Sequence, residues 1–365
     1  MIFSTKYADI INSLENYNPR YYAESRNYID GQVSHLSPYI SRGILSTKTV
    51  YEKLKENEFP WSHMEKFIQE LAWREYWQNC WVHNVNIDDD IKHDQTDVDN
   101  FKIPYSVRFG QTGIRAIDQA ITSLKKEGYM HNHLRMYVAS LCCNFGHSHW
   151  LKPAKWMFYH LYDGDWASNA LSWQWVAGTN SSKKYVFNQE NVNQYCHTNQ
   201  NNTFLDVTYN ELESISKPTK LEETDELKLK TVLPNWTSPI IKKKKVNLFT
   251  YYNLDPNWNQ SDEFENILIL EPSLFKKYPI SDNVLQFTLG LSKNISHIQY
   301  YCGDFEDLQK KHPSKEFHFK EHPTNNHFKG VKHEREWIFN VHRYYPSFFA
   351  FWKKCKATKG WKNRR

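Results

Sequence analysis

GYMHNHLRMYVASLCCNFGHSHWLKPAKWMFYHLYDGDWASNALSWQWVAGTN, residues 128–180, decides how the rest of this chain is read. It sets polar side chains among aromatic and apolar ones at helical spacings, which an ordinary core helix has little reason to do. Asn132, Arg135 and Met136 stand at i, i+3 and i+4 and so share one helix face. Asp163 and Asp165 flank Gly164, and Asn169 follows Asp165 by one helical turn. A cavity lined by an amide, a guanidinium, carboxylates and indoles suits a large planar heterocycle with hydrogen-bonding edges and a charged tail. Carboxylates in so aromatic a setting are costly unless paired or hydrogen-bonded.

Other chemistries are weaker readings of the same residues. Asp163-Gly164-Asp165 could hold a divalent metal, but such pairs normally follow a nucleotide-binding α/β core. His131-Asn132-His133 has the letters of a nuclease motif that needs a ββα metal module, whereas this segment continues helically through Leu141. His147 and His149 read as surface histidines. Six cysteines, with Cys142 and Cys143 adjacent and no CxxC pair, form neither a disulfide framework nor a zinc or iron–sulfur spacing, so no metal is expected and the compartment is read as reducing.

Around this centre the 365 residues have room for two domains. The 14 Trp, 23 Tyr and 21 Phe are an unusually high aromatic load, and most of these rings are expected to be core packing. A net charge of +5 does not announce a nucleic-acid protein; the basic runs Lys242–Lys245 and KKCKATKGWKNRR read as solvated tails or linkers, Asp88–Asp99 is an acidic segment, and the chain between His93 and Val107 reads as an exposed loop. No apolar stretch approaches the ~20 residues that span a bilayer, and the N-terminus lacks a signal-peptide core. The chain is expected to be cytoplasmic and monomeric.

Three blocks, MHNHLRM, DGDWASN and SWQW, in this order and spacing, resemble the flavin-binding helical domain of the DNA photolyase and cryptochrome family, most of all photolyases that repair cyclobutane pyrimidine dimers. The likeness runs from about Tyr22 to about Tyr195. It implies noncovalent FAD, active as the reduced anion, with UV-damaged DNA as the partner. It also implies a light-driven lyase that opens the dimer by electron transfer, or alternatively a photoreceptor that signals through a protein partner.

By the same resemblance Asn132, Arg135, Asp163, Asp165 and Asn169 hold the flavin, Arg135 pairing with Asp163 and Asn169 facing N5. VSHLSPYISRGILS matches the block that grips the FAD diphosphate, which assigns Ser34, His35, Leu36 and Ser37 to the cofactor; Val33 stands where the family has Thr. Tyr22 and Arg26 face the diphosphate. FIQELAWREYW matches the helix between flavin and lesion, with Phe67 and Arg74 on the cofactor side, Glu70 bonding the damaged base as well as touching the cofactor, and Trp73 packing on the lesion. Met136, Trp175 and His133 complete the lesion wall, His133 replacing the family's Arg. Trp173 and Trp150 fall on the electron-relay positions; no tryptophan occupies the distal one, which leaves Tyr105 or Trp156 as an exit.

GQTGIRAIDQAITSLKKEG reads as a turn, an amphipathic helix burying Ile114, Ile117, Ala120 and Ile121, and a stop at Gly128. After residue 208 the composition turns charged, marking 209–245 as a linker or arm. From Val246, VNLFTYY, ILILEPSLF, SDNVLQFTLGLSK, HIQYYCGDF and EFHF alternate apolar runs with a helix, the pattern of a small parallel α/β sheet. The expected fold is therefore mainly α: a helical FAD-binding domain over residues 1–208, the arm, and an α/β domain over 246–365 with a basic tail. Whether an antenna chromophore binds is left open. The α/β domain shows no phosphate motif and is read as structural or partner-binding.

Overall fold

The computed structural model describes residues 3–83, 85–212 and 214–361; the last four residues of the basic tail, 362–365, lie outside the described residues. It is mostly helical with one five-stranded parallel sheet. The chain divides into two compact units. One comprises the chain up to Tyr17, Ser34–Val82 and everything from Lys230; the other comprises Asn18–Val33 and His83–Leu229.

In the first unit the strands Gln299–Cys302, Phe264–Leu270, Lys245–Phe249, Glu316–Lys320 and Val331–His333 lie side by side in that order, all parallel. In chain order this is third, second, first, fourth, fifth, so the winding reverses direction between the first and fourth strands. The unbroken apolar runs explain why these strands are central: Leu248, Phe249, Leu268 and Ile269 point alternately to opposite faces, yet all are buried. One face packs Val246, Leu248, Ile267, Ile269, Tyr301, Phe305, Phe317 and Phe319 into a core. The helix Asp282–Ser292 starts where Ser281 accepts a hydrogen bond from Val284 N. The same unit holds the 22-residue helix Trp61–Val82, against which the helix Phe348–Thr358 packs.

In the second unit the helices Arg115–Glu127, Asn132–Ser140, Leu151–His160 and Trp166–Ala177 pack on one another. Ile114, Ile117, Ala120 and Ile121 are buried as their spacing requires. Trp150, Trp156 and Trp166 are among the largest fully buried side chains. The charged segment after Tyr209 is held down here: Thr224–Asp225 pairs antiparallel with Ile103–Pro104, Arg108 binds Asp225, and Lys152 and Lys217 pair with Glu226 and Asp99 at 2.6 and 2.9 Å. No described helix is long and apolar enough to cross a membrane.

Candidate functional site

In the second unit, one turn sets the polar cluster. Gly128 ends the preceding helix at φ +67°, and a Cβ there would fall 2.3 Å from the Tyr162 ring, so only glycine allows this approach. Gly128 O accepts from Tyr162 N at 2.8 Å, which brings the start of the helix Asn132–Ser140 alongside the residue before Asp163. Arg135 then donates from Nε to Met130 O at 2.7 Å and from one terminal nitrogen to Asp163 Oδ2 and Oδ1 at 2.8 and 3.0 Å. The Asp163 side chain is 5% exposed and that of Arg135 21%, so this charge pair is largely desolvated. Burial pushes the Tyr129 hydroxyl, beside this pair, up to about 12.

Asp165 caps the helix Trp166–Ala177, its Oδ1 accepting from Ser168 N at 2.8 Å. Asn169 donates to Ala154 O at 2.9 Å, which fixes its amide. Asn132 is exposed on the first helical turn, and Met136 is half-buried on the same face as Arg135. His133 is buried between Tyr137 and Tyr195, not at the surface. Its imidazolium is disfavoured by burial first, and by the nearby Arg26 guanidinium. Tyr22 opens the short helix that Arg26 closes.

Trp150 and Trp173, the two tryptophans expected to relay electrons, are both buried, and Trp150 and Trp166 are tied to the acidic segment. Trp150 donates from Nε1 to Asp90 Oδ1 at 2.6 Å, and Trp166 to Asp88 Oδ1 at 2.8 Å. Gln174, next to the buried Trp173, donates to Ile87 O and Asp89 O and accepts from Ile91 N. Three groups of Asp88–Asp90 thus satisfy indole and amide donors. Trp175 is 40% exposed beside Tyr185. Of the expected exits, Tyr105 packs on Phe109 and Trp156 on His160. The ring beside Trp150 is His149 at 5.8 Å, itself stacked on the exposed Phe101 at 5.0 Å. Asp88, Asp90 and Gln174 escaped sequence reasoning, because nothing local links an acidic loop to an indole 60 residues away.

In the first unit, Ser34 Oγ accepts from Leu36 N at 3.3 Å, His35 has a left-handed backbone at φ +53°, and Ser37 opens a short helix with Leu36 buried before it. Phe67 packs on Tyr17. Glu70 pairs with Lys66 at 2.8 Å. Trp73 is stacked face to face by Phe348 of the helix Phe348–Thr358, centroids 3.6 Å apart and planes 10° apart. Arg74 donates to Ser41 Oγ at 3.2 Å. Glu75, the next residue, is buried; Thr47, Ile338 N and Phe339 N donate to it, and burial pushes its carboxyl up to about 7.

Arg74 also lines a crevice of about 740 Å³, open solvent included, at the carboxyl ends of the first and fourth strands. That is the switch point of the sheet, where ligands bind in open α/β folds. Tyr252 and His322 stack there at 4.1 Å. His322 is held far below the usual imidazole range by burial, then by the positive charges of Arg335, Arg74 and Arg42. Arg335 reaches Glu321 and Gln78 at 2.7 and 2.6 Å.

Residues 67–248 match the family described as "FAD binding domain of DNA photolyase". The deoxyribodipyrimidine photo-lyase of Alkalihalophilus pseudofirmus is 29% identical over 231 residues, 58% of this chain and 47% of that protein. Its counterpart in Vibrio cholerae is 32% identical over 197 residues, 50% of this chain and 41% of that protein. The chain thus spans less than half the length of these relatives. Among solved structures, a bacterial class III photolyase from Agrobacterium tumefaciens aligns at 26% identity and TM-score 0.47, covering 52% of this chain and 42% of that one. A Synechocystis cryptochrome aligns at 24% identity and TM-score 0.47, covering 53% and 44%.

Proposed function

The chain belongs to the DNA photolyase and cryptochrome family through its FAD-binding domain, and from that premise we propose that it repairs cyclobutane pyrimidine dimers in UV-damaged DNA under blue light. The observation that carries this reading is the polar cluster of the second unit. Its groups fit an isoalloxazine: Arg135 and the Asn132 amide offer donors to ring carbonyls, and the Asp163 and Asp165 carboxylates offer acceptors to a ring N–H. Bound and reduced, as the anion, FAD supplies a light-driven one-electron donor.

The protein's part is to orient and to insulate. Arg135, locked by Asp163 and Met130 O, would hold the flavin with a fixed positive charge. Asn169, pinned to Ala154 O, would offer its amide to the flavin N5. Ser34, His35, Leu36, Ser37, Tyr22, Arg26, Phe67 and Arg74 serve the rest of the cofactor. Glu70 would bond the damaged base, with Trp73, Met136, Trp175 and His133 as the lesion wall, and Trp173 and Trp150 would relay electrons to the flavin. Extruding the lesion costs a few kcal/mol, least for a poorly stacked dinucleotide. Opening a (6-4) product needs proton transfer, and neither the Asn132 amide nor the Met136 thioether is a general acid. His133, one of the two histidines flanking Asn132, is buried, and burial disfavours its imidazolium.

One observation favours a second reading, a photoreceptor signalling through a protein partner: Trp73 and Glu70 are engaged by Phe348 and Lys66. Two oligonucleotides, one with each lesion, under blue light with a reductant separate the readings. Repair of the dimer alone is expected. Repair of only the (6-4) product reverses the assignment, and repair of neither by fully reduced protein establishes the photoreceptor. For the α/β sheet the reading is a structural or partner-binding role, with a relocated antenna domain as the alternative. A near-ultraviolet band beyond that of flavin, lost on truncation after Lys242, is its test.

A further inference from the structure

The acidic segment meets the relay at one atom pair. Trp150 is fully buried, and its only ring N–H points at Asp90 Oδ1, 2.6 Å away. Asp90 Oδ2 accepts from Gln95 N at 2.7 Å, while Gln95 Oε1 accepts from Trp150 N at 2.9 Å. Carboxylate and indole are therefore clamped by a shared residue. His149 Nε2 lies 3.6 Å from the same Oδ1, and the Asp90 and His149 side chains are 15% and 17% exposed. Beyond Trp150 the stack continues through His149 to Phe101. Neither a phenyl ring nor a neutral imidazole is oxidised as readily as an indole, so a hole reaching Trp150 has no easier ring to occupy in that direction.

We propose that Asp90 is the proton acceptor that traps the hole on Trp150, making the last step of the relay a coupled electron and proton transfer. The inference rests on the reading of Trp173 and Trp150 as the relay that refills oxidised, photoexcited flavin. Trp150 gives one electron to the oxidised Trp173 and becomes an indole radical cation. Its Nε1–H bond breaks with the electron pair staying on nitrogen, and a new O–H bond forms on Asp90 Oδ1. An ion pair in a dry site becomes a neutral indolyl radical and a neutral carboxylic acid. Electron return to Trp173 then requires the proton to return as well, which slows recombination. An external thiol closes the cycle with one electron, and Asp90 hands the proton back. The hydrogen bond also removes any desolvation penalty on the indole N–H in the resting state, so it has a structural role that the test must exclude.

The test is flash spectroscopy on the flavin-loaded protein in H2O and D2O, following the tryptophan radical and the infrared carbonyl stretch of a protonated carboxyl. Asp90→Asn keeps an acceptor oxygen for Trp150 but cannot take a proton. In the wild type a neutral tryptophan radical, a D2O-slowed recombination and a transient carboxylic acid band are expected. Asp90→Asn should show the radical cation, faster recombination, and neither the isotope effect nor the band. Asp88→Asn, which alters the comparable bond to Trp166 outside the relay, should match the wild type. In flavin-free protein the Trp150 Nε1–H resonance should be kept in Asp90→Asn and displaced in Asp90→Ala, which shows that the hydrogen bond survives the first substitution. A neutral radical at wild-type yield in Asp90→Asn overturns the proposal while leaving the relay intact. Photoreduction unaffected by Trp173→Phe overturns the relay and the proposal together.

Discussion

Replacing Glu75 by Gln tests how the first unit is held together. The Glu75 carboxylate is 2% exposed. Its Oε1 accepts from Thr47 Oγ1 at 2.5 Å and from Ile338 N at 2.6 Å, and Oε2 accepts from Phe339 N at 3.4 Å. Desolvation outweighs these three donors and raises the carboxyl from 4.5 to about 7. The folded state therefore binds the proton more tightly than the unfolded chain. The stability this confers is fully present below pH 4.5 and is lost as pH rises through 7, and a raise of that size is worth about 3 kcal/mol. Glutamine keeps an acceptor oxygen for Thr47 and Ile338 but never ionises. Its amide nitrogen sets a donor against Phe339 N, which cancels part of the gain. Urea unfolding of flavin-free protein at pH 5 and pH 8 should show Glu75→Gln close to wild type at pH 5 and about 1–3 kcal/mol more stable at pH 8. Glu75→Ala strands two buried backbone donors and a hydroxyl, and should lose about 3–6 kcal/mol at either pH. A Gln variant whose difference from wild type does not change with pH, or grows less favourable toward pH 8, refutes the reasoning.

Arg135→Ala strips the guanidinium from the buried Asp163 and should cost about 3–5 kcal/mol together with flavin retention through gel filtration; unchanged unfolding and full retention would show that the pair does not support the site. Phe348→Ala removes the ring stacked on Trp73 at a cost of about 3–5 kcal/mol and should raise affinity for dimer-containing over undamaged DNA, whereas equal affinity would remove Trp73 from the lesion wall. Trp173→Phe should leave FAD bound and abolish photoreduction, and wild-type photoreduction kinetics would refute the relay.

Periodicity carried the local geometry. The spacing of Ile114, Ile117, Ala120 and Ile121 put one helix face inward, the stop at Gly128 became a left-handed glycine against Tyr162, and the apolar runs after Val246 became parallel strands. The Arg135–Asp163 pair was expected from the family's motifs and is present. These features survive in one dimension because helix and strand periods are set by backbone sterics and hydrogen bonding within a few residues.

What faces what across long separations was decided only by the fold. No spacing rule ties Asp90 to Trp150, or Phe348 to Trp73 across 275 positions, since such pairs form when remote segments bury their surfaces together. The same holds for His133, a polar letter on an apolar helix whose burial depends on Tyr195 arriving over it. The strand order that opens a crevice between Thr250–Asn253 and Lys320–His322 has no local signal either. The sequence by itself determined the elements and the chemistry that they carry. Tertiary packing determined which of those groups are dry, which are paired and which are covered, because desolvation and contact are properties of neighbours in space.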